Sequence, residues 1–219
     1  MRAVPTRANL RPVQPAPAID DDSFLAPDFT GPLDPAPYLA LLPDDETCRG
    51  LFFHGVIDFA KRVHRGAIDP LFEGMQNQRF VAFRDYPLRE HMKLTLNAVK
   101  LLYPRVPSRE GVRRLGWLAF SSMAESMVGR VVFGVLGRDP DAILSAGPRS
   151  VAVSLRRGRL TARRLGRGHW RLSFEHIYGF LDTYYVGVVE GALKAQDVVP
   201  RVRIRLHSLV EGEMDVTWV

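Results

Sequence analysis

The sequence predicts an α+β domain: an N-terminal helical layer followed by a ββ-α-ββ antiparallel sheet. Three observations carry this. Between Gly50 and Leu155, four or five stretches repeat apolar residues every three or four positions, the spacing of one helix face. From Arg159 onward the period falls to two around a Gly166-Arg167-Gly168 turn, the pattern of a hairpin. Nine of the sixteen prolines lie in residues 1–45, where fixed φ and missing amide donors oppose core elements. The chain therefore divides into a Pro-rich acidic leader, residues 1–45, extended and mostly disordered, and a single domain, residues 46–219. Phe24, Leu25, Phe29, Tyr38 and Leu39 are many apolar residues for a free tail, and are candidates to pin the leader to the domain.

The domain opens with a helix over Gly50–Val63, its face read as Leu51, Phe52, Gly55, Val56, Phe59, Ala60 and Val63. Asp69-Pro70 ends that pattern, and Pro70 opens a short helix through Leu71–Met75. Phe80–Phe83 is too short for its period to assign. Pro87 suits the first position of the next helix, whose stripe is Leu88, Met92, Leu96, Val99 and Leu102. Ser108 is the expected N-cap of the one after, its hydroxyl accepting a first-turn amide. That helix buries Val112, Leu115, Leu118, Ala119, Met123, Met127 and Val131, with Gly129 and Gly134 dividing it. Asp139-Pro140 caps a helix running to about Leu155. The hairpin strands are Arg159–Leu165 and His169–Phe174. Leu181–Ala195 returns to helical spacing, and two alternating strands follow, over Arg201–Leu206 and Met214–Val219. Thr183, Gly187 and Gly191 recur every fourth residue, so one stripe of the last helix lacks bulk. Interior glycine costs about 0.5–1 kcal/mol relative to alanine, and close backbone approach is the compensation, here expected to be to the sheet rather than to a second subunit.

Composition narrows the function. The single cysteine, Cys48, excludes an internal disulfide framework. No apolar run approaches the roughly 20 residues of a membrane span, and no signal core follows Met1, so a cytoplasmic location is expected. The net charge of +6 is uneven. Residues 1–50 carry −4, whereas Ala142–Phe174 hold eight arginines and no acidic residue. Arginine forks suit phosphate and carboxylate partners. Arg156, Arg157, Arg159, Arg163, Arg164, Arg167 and Arg171 are the candidate surface, open to three readings: a solvated sheet face, a dock for an acidic protein, or a nucleic-acid footprint, the last disfavoured because only Trp170 is available to stack on bases. The acidic leader is also placed to fold back on this face as a lid.

The residues carry a resemblance as well. Phe83-Arg-Asp-Tyr-Pro-Leu-Arg-Glu-His, the run from Gly116 to Arg130, Gly137-Arg-Asp-Pro, Phe180-Leu-Asp-Thr-Tyr-Tyr-Val-Gly-Val-Val-Glu-Gly-Ala-Leu and Met214-Asp-Val-Thr-Trp resemble a myxobacterial paralogous family of about 200-residue proteins without assigned function. More distantly, the element order and Tyr184-Tyr-Val-Gly-Val-Val-Glu-Gly-Ala-Leu are similar to the TRAPP small-subunit, 4-vinyl-reductase and haem-nitric-oxide-binding superfamily. That resemblance implies a fold whose members assemble, bind small apolar ligands or bind haem. The Tyr-x-Ser-x-Arg motif of the haem binders is missing, as is the cysteine cluster of the 4-vinyl-reductase members.

Catalytic patterns do not emerge. His54, His64, His91, His169, His176 and His207 show no paired metal-ligand spacing, there is no Gly-x-Ser-x-Gly elbow, and glycine-rich phosphate loops are lacking. His54 lies opposite its helix's apolar stripe, where it is a candidate to line a pocket. The leading expectation is a non-enzymatic, cofactor-free interaction module for signalling or scaffolding, homodimeric or bound to an acidic protein. The alternative is a sensor for a small apolar ligand or haem, its pocket lined by Phe52, Phe59, Met92, Leu96, Trp117, Met123, Met127 and Phe133.

Overall fold

A computed structural model describes residues 22–125 and 139–219, without the side chains of 122, 123 and 125. The chain begins with a short helix α1 (Ala36–Leu41), then strand β1 (Thr47–Arg49), which runs into α2 (Gly50–Val63). A 3-10 turn (Asp69–Phe72) leads to β2 (Asp85–Pro87), which pairs antiparallel with β1 and runs into α3 (Leu88–Leu102). Helices α4 (Ser108–Glu125) and α5 (Pro140–Ser154) complete the helical layer. The hairpin β3 (Arg159–Gly166) and β4 (His169–Glu175) follows, then a single π turn (Leu181–Tyr185) leading into α6 (Val186–Lys194), then β5 (Arg201–Leu206) and β6 (Gly212–Thr217). The four strands form one antiparallel sheet in the order β3-β4-β6-β5. This is the predicted α+β architecture.

Strand alternation splits the sheet into two faces. Leu172, Met214 and Ile204 lie side by side in one row, and Trp170, Val216 and Val202 in the next; all are buried under the helices. The opposite face carries Arg163, Arg171, Asp215 and Arg203 in one row. Asp215, its side chain 1% exposed, accepts from His169 Nε2 at 2.8 Å and from Arg171 and Arg203 at 3.1 Å each. Burial pushes its pKa up, but the bonds from His169, Arg203 and Arg171 outweigh that and hold it below the usual carboxylate range.

Several expectations are corrected. Residues 22–45 are more than the mostly disordered leader expected: the pinning residues Phe24 and Tyr38 are buried in the domain, and so are Leu33 and Leu42. Phe24 lies under two guanidinium groups, Arg171 at 4.4 Å and Arg205 at 4.5 Å from its ring centre, and Leu25 exchanges backbone bonds with Ile204 on β5. Proline removes amide donors without preventing the neighbouring side chains from burying, so proline content alone misplaces this boundary. Of the eight acidic residues in 1–50 from which the lid was expected, Asp20 and Asp21 lie outside the described residues, while Asp45 and Glu46 pair with Arg156 and Arg157. Ser108 is not an N-cap; its hydroxyl accepts the Leu33 amide at 2.6 Å and so ties the leader to α4.

Helix α2 buries Phe53, Val56, Ile57 and Ala60, a face rotated by one residue from the predicted stripe. Leu51-Phe52-Phe53 offers the helix two competing apolar faces, and Phe53 prevails by stacking on Phe80 at 4.0 Å. The glycine stripe meets a helix, not the sheet. A Cβ on Gly187 would lie 2.0 Å from the Arg113 carbonyl oxygen and one on Gly191 2.6 Å from that of Trp117. Gly116 makes the reciprocal approach, 2.2 Å from the Tyr184 carbonyl, so α4 and α6 touch backbone to backbone.

Candidate functional site

A cleft opens among α3, α4, α5 and the π turn, with about 740 Å³ of atom-free space counting its mouth. Leu88, His91, Met92 and Thr95 come from α3, Ala119 and Phe120 from α4, and Ser150, Val151 and Ser154 from α5. Phe180, Tyr184 and Tyr185 enter from around the π turn, with Val188 beside them; Cys48 and Phe52 close the end near β1. The amphipathic period of each helix directs these side chains inward. The π turn aims its two tyrosines at the cleft, and Phe180 before it stands in the left-handed region at φ 59°, a conformation bulky residues rarely adopt. Such strain and π turns both concentrate at functional sites.

His91 is the polar centre of this lining. It is 6% exposed, and its ring packs edge-on against Phe53 at 5.2 Å and Tyr184 at 5.7 Å. Burial lowers its pKa to about 4, against a smaller opposing effect from a hydrogen bond to the Phe52 backbone. The ring is therefore neutral at physiological pH. Its Nε2 is buried without a hydrogen-bond partner. Two of the polar side chains around it are engaged: Thr95 Oγ1 donates to the His91 carbonyl at 2.9 Å and Ser150 Oγ to the Ala146 carbonyl at 3.3 Å. Burial, with the charges of Asp85 and Glu46, raises the Cys48 thiol pKa far above its usual value, so the sulfur stays a protonated, weakly nucleophilic group.

On the far side of the π turn, Asp182 accepts from Tyr38 Oη at 2.8 Å and pairs with Arg109. One five-residue turn thus contacts the cleft through its tyrosines and the leader through its carboxylate.

Of the expected pocket residues, Phe52 and Met92 line the cleft. Leu96 is only partly buried against the core, and Phe59 lies beside Arg62, 5.8 Å from its ring centre. Trp117 instead lies half-buried against α6, its indole donating to Glu190 at 2.8 Å with Lys194 3.7 Å from the ring centre. The Met123 side chain, Met127 and Phe133 fall outside the described residues. His54 is spent on the Phe80 carbonyl at 2.6 Å. His91 had no signal of its own in the sequence beyond lying one position from the predicted stripe.

The arginine set does not form one surface. Arg156 pairs with Asp45 at 3.3 Å, and Arg157 with Asp45 at 2.8 Å and Glu46 at 3.1 Å. Arg164 reaches Asp141 at 2.7 Å on the helix-covered side, and Arg171 holds Asp215 on the other. Arg159, Arg163 and Arg167 are exposed. Thr183 and Gly187 are fully enclosed in the α4–α6 contact region, together with Gly191.

Comparison with solved structures places the chain among H-NOX, or haem-nitric-oxide-binding, folds. An S. oneidensis H-NOX protein in the Fe(II)NO state has a TM-score of 0.64 at 12% identity, covering 78% of this chain and 99% of its own. The Fe(II) unliganded H-NOX protein from K. algicida has a TM-score of 0.59 at 10% identity, covering 78% and 96%. A mutant of T. Tengcongensis H-NOX gives 0.59 at 12%, covering 76% and 94%. No curated protein matches by sequence.

The described residues that line the cleft do not fit haem. Haem brings two carboxylates as well as an iron needing an axial donor. His91 offers a donor nitrogen, but no Lys or Arg of the described residues lines the cleft to meet the carboxylates. Among the described residues there is likewise no group of three or more metal-ligating side chains, and no helix long and apolar enough to cross a membrane. The fold is shared with the H-NOX proteins, while the match to a sequence family covers residues 42–219 and is decisive: the chain belongs to the protein family of unknown function DUF2378.

Proposed function

We propose that this domain binds a small, uncharged, largely apolar molecule in the cleft and acts as its sensor. One observation carries the reading: an apolar cleft that reaches a buried, neutral imidazole with an unpartnered nitrogen. Pockets of this composition, with few polar groups, are the usual form of a small-molecule site. The fold shared with H-NOX proteins, described in Fe(II) and NO-bound states, supports a sensing role rather than a particular ligand. Occupancy is registered by the π turn, because Tyr184 and Tyr185 line the cleft while Asp182 of the same turn holds Tyr38 and Arg109. No catalytic step belongs to this reading. The interaction-module expectation has less support, since Arg156, Arg157, Arg164 and Arg171 already hold carboxylates of their own chain.

The test is the purified full chain, measured by visible absorption, native mass spectrometry and thermal shift against small aromatics and alkanols. The expected result is no Soret band, with a small-mass adduct or a rise in melting temperature with apolar compounds. A stoichiometric Soret band, or no shift with any compound, overturns the proposal.

A further inference from the structure

We infer that the cleft selects a neutral apolar molecule carrying one hydroxyl, a phenol or a short-chain alcohol, and that this hydroxyl hydrogen-bonds His91 Nε2. This rests on the cleft being a ligand site, and it names the class of ligand.

A neutral imidazole donates from one nitrogen and accepts at the other. Nε2 is buried with no partner. A buried polar atom left unsatisfied costs more than a hydrogen bond normally gains, so a group that satisfies it is strongly preferred. A hydroxyl, which both donates and accepts, complements it in either tautomer. Charged donors are disfavoured, since among the described lining residues there is no carboxylate to balance an ammonium and no cation to balance an acid. Phe52, Met92, Phe120 and Val151 supply the apolar walls for the rest of the molecule.

The probes are 4-ethylphenol and 4-ethyltoluene, nearly identical in shape and differing in the hydroxyl. Dissociation constants are measured by ligand-observed NMR on the full chain, for wild type, His91→Phe and His91→Gln, with circular dichroism confirming each fold. The phenol is expected to bind wild type roughly tenfold to a hundredfold more tightly than the toluene, since sites built to pair a hydroxyl reject its absence. His91→Phe is expected to abolish the difference and His91→Gln, which retains an acceptor oxygen, to restore part of it. Equal binding of both probes to wild type overturns the inference and leaves the cleft as a ligand site. Failure of both to bind overturns the ligand site for molecules of this size and the inference with it. The wild-type comparison stands even where a variant fails to fold.

Discussion

His91 is a base that the fold holds neutral, and this has a thermodynamic sign. Its pKa falls from 6.5 to about 4 on folding, so between those values the unfolded chain binds the proton and the folded chain does not. Stability therefore rises with pH across this window and is lost on acidification, by about 3 kcal/mol at pH 4. Denaturant melts from pH 7 to pH 4 are expected to show this slope in wild type, and a markedly shallower one in His91→Phe. Glu190 is a second buried polar residue with a defined role. It takes two 2.8 Å bonds from Arg113 and a third from the Trp117 indole, linking α6 to α4. Removing one partner of such a pair leaves the other charge uncompensated. Because Arg113 keeps Glu110, Glu190→Ala is expected to cost about 2–3 kcal/mol, read from the urea midpoint. Neither residue was legible in the sequence, because hydrophobic periodicity marks apolar positions and passes over polar side chains buried among them.

At the scale of elements, the α4–α6 contact makes the sharpest prediction. A Cβ at Gly187 meets a backbone oxygen at 2.0 Å, which no rotamer change relieves. Gly187→Ala is expected to destabilise by at least about 3 kcal/mol, beyond ordinary overpacking, whereas Gly31→Ala, with nothing within 4 Å, serves as the near-neutral control. Thermal melts of both distinguish them. The missing bulk at Thr183, Gly187 and Gly191 was readable in the sequence; its partner was not, because Gly116 lies five residues from Gly111 and forms no every-fourth repeat with it. The hairpin and helices α3 to α5 were legible because their periods are long and their breaks sharp. In α2 three consecutive apolar residues left the face ambiguous, and five residues of π turn are too few for any period to separate from α-helix. The cleft was half legible: Phe52 and Met92 lie on predicted stripes, but which stripes face one another is set by tertiary packing.

For the whole molecule, the domain extends further toward the N-terminus than proline content indicates. Burying Phe24, Leu33, Tyr38 and Leu42 contributes about 1.5–3 kcal/mol each, together comparable with the roughly 5–15 kcal/mol stability of a typical domain. A chain beginning at residue 46 is expected to lose cooperative unfolding or most of its stability, measured by calorimetry against the full chain. Retention of the full melting temperature would contradict that. The charge pattern also changes meaning. The arginine-rich stretch is largely an internal clamp, with Asp45, Glu46, Asp141 and Asp215 each taken by one or more of its guanidinium groups. The backbone-tight union of α4 and α6 has a mechanical consequence for the cleft between them and α5. Two helices in main-chain contact move as one body, so that wall is fixed. The opposite wall is α5, which packs chiefly on β3. A molecule that widens the cleft accordingly levers the hairpin edge bearing Arg159, Arg163 and Arg167, converting volume inside the domain into displacement of charge on its surface.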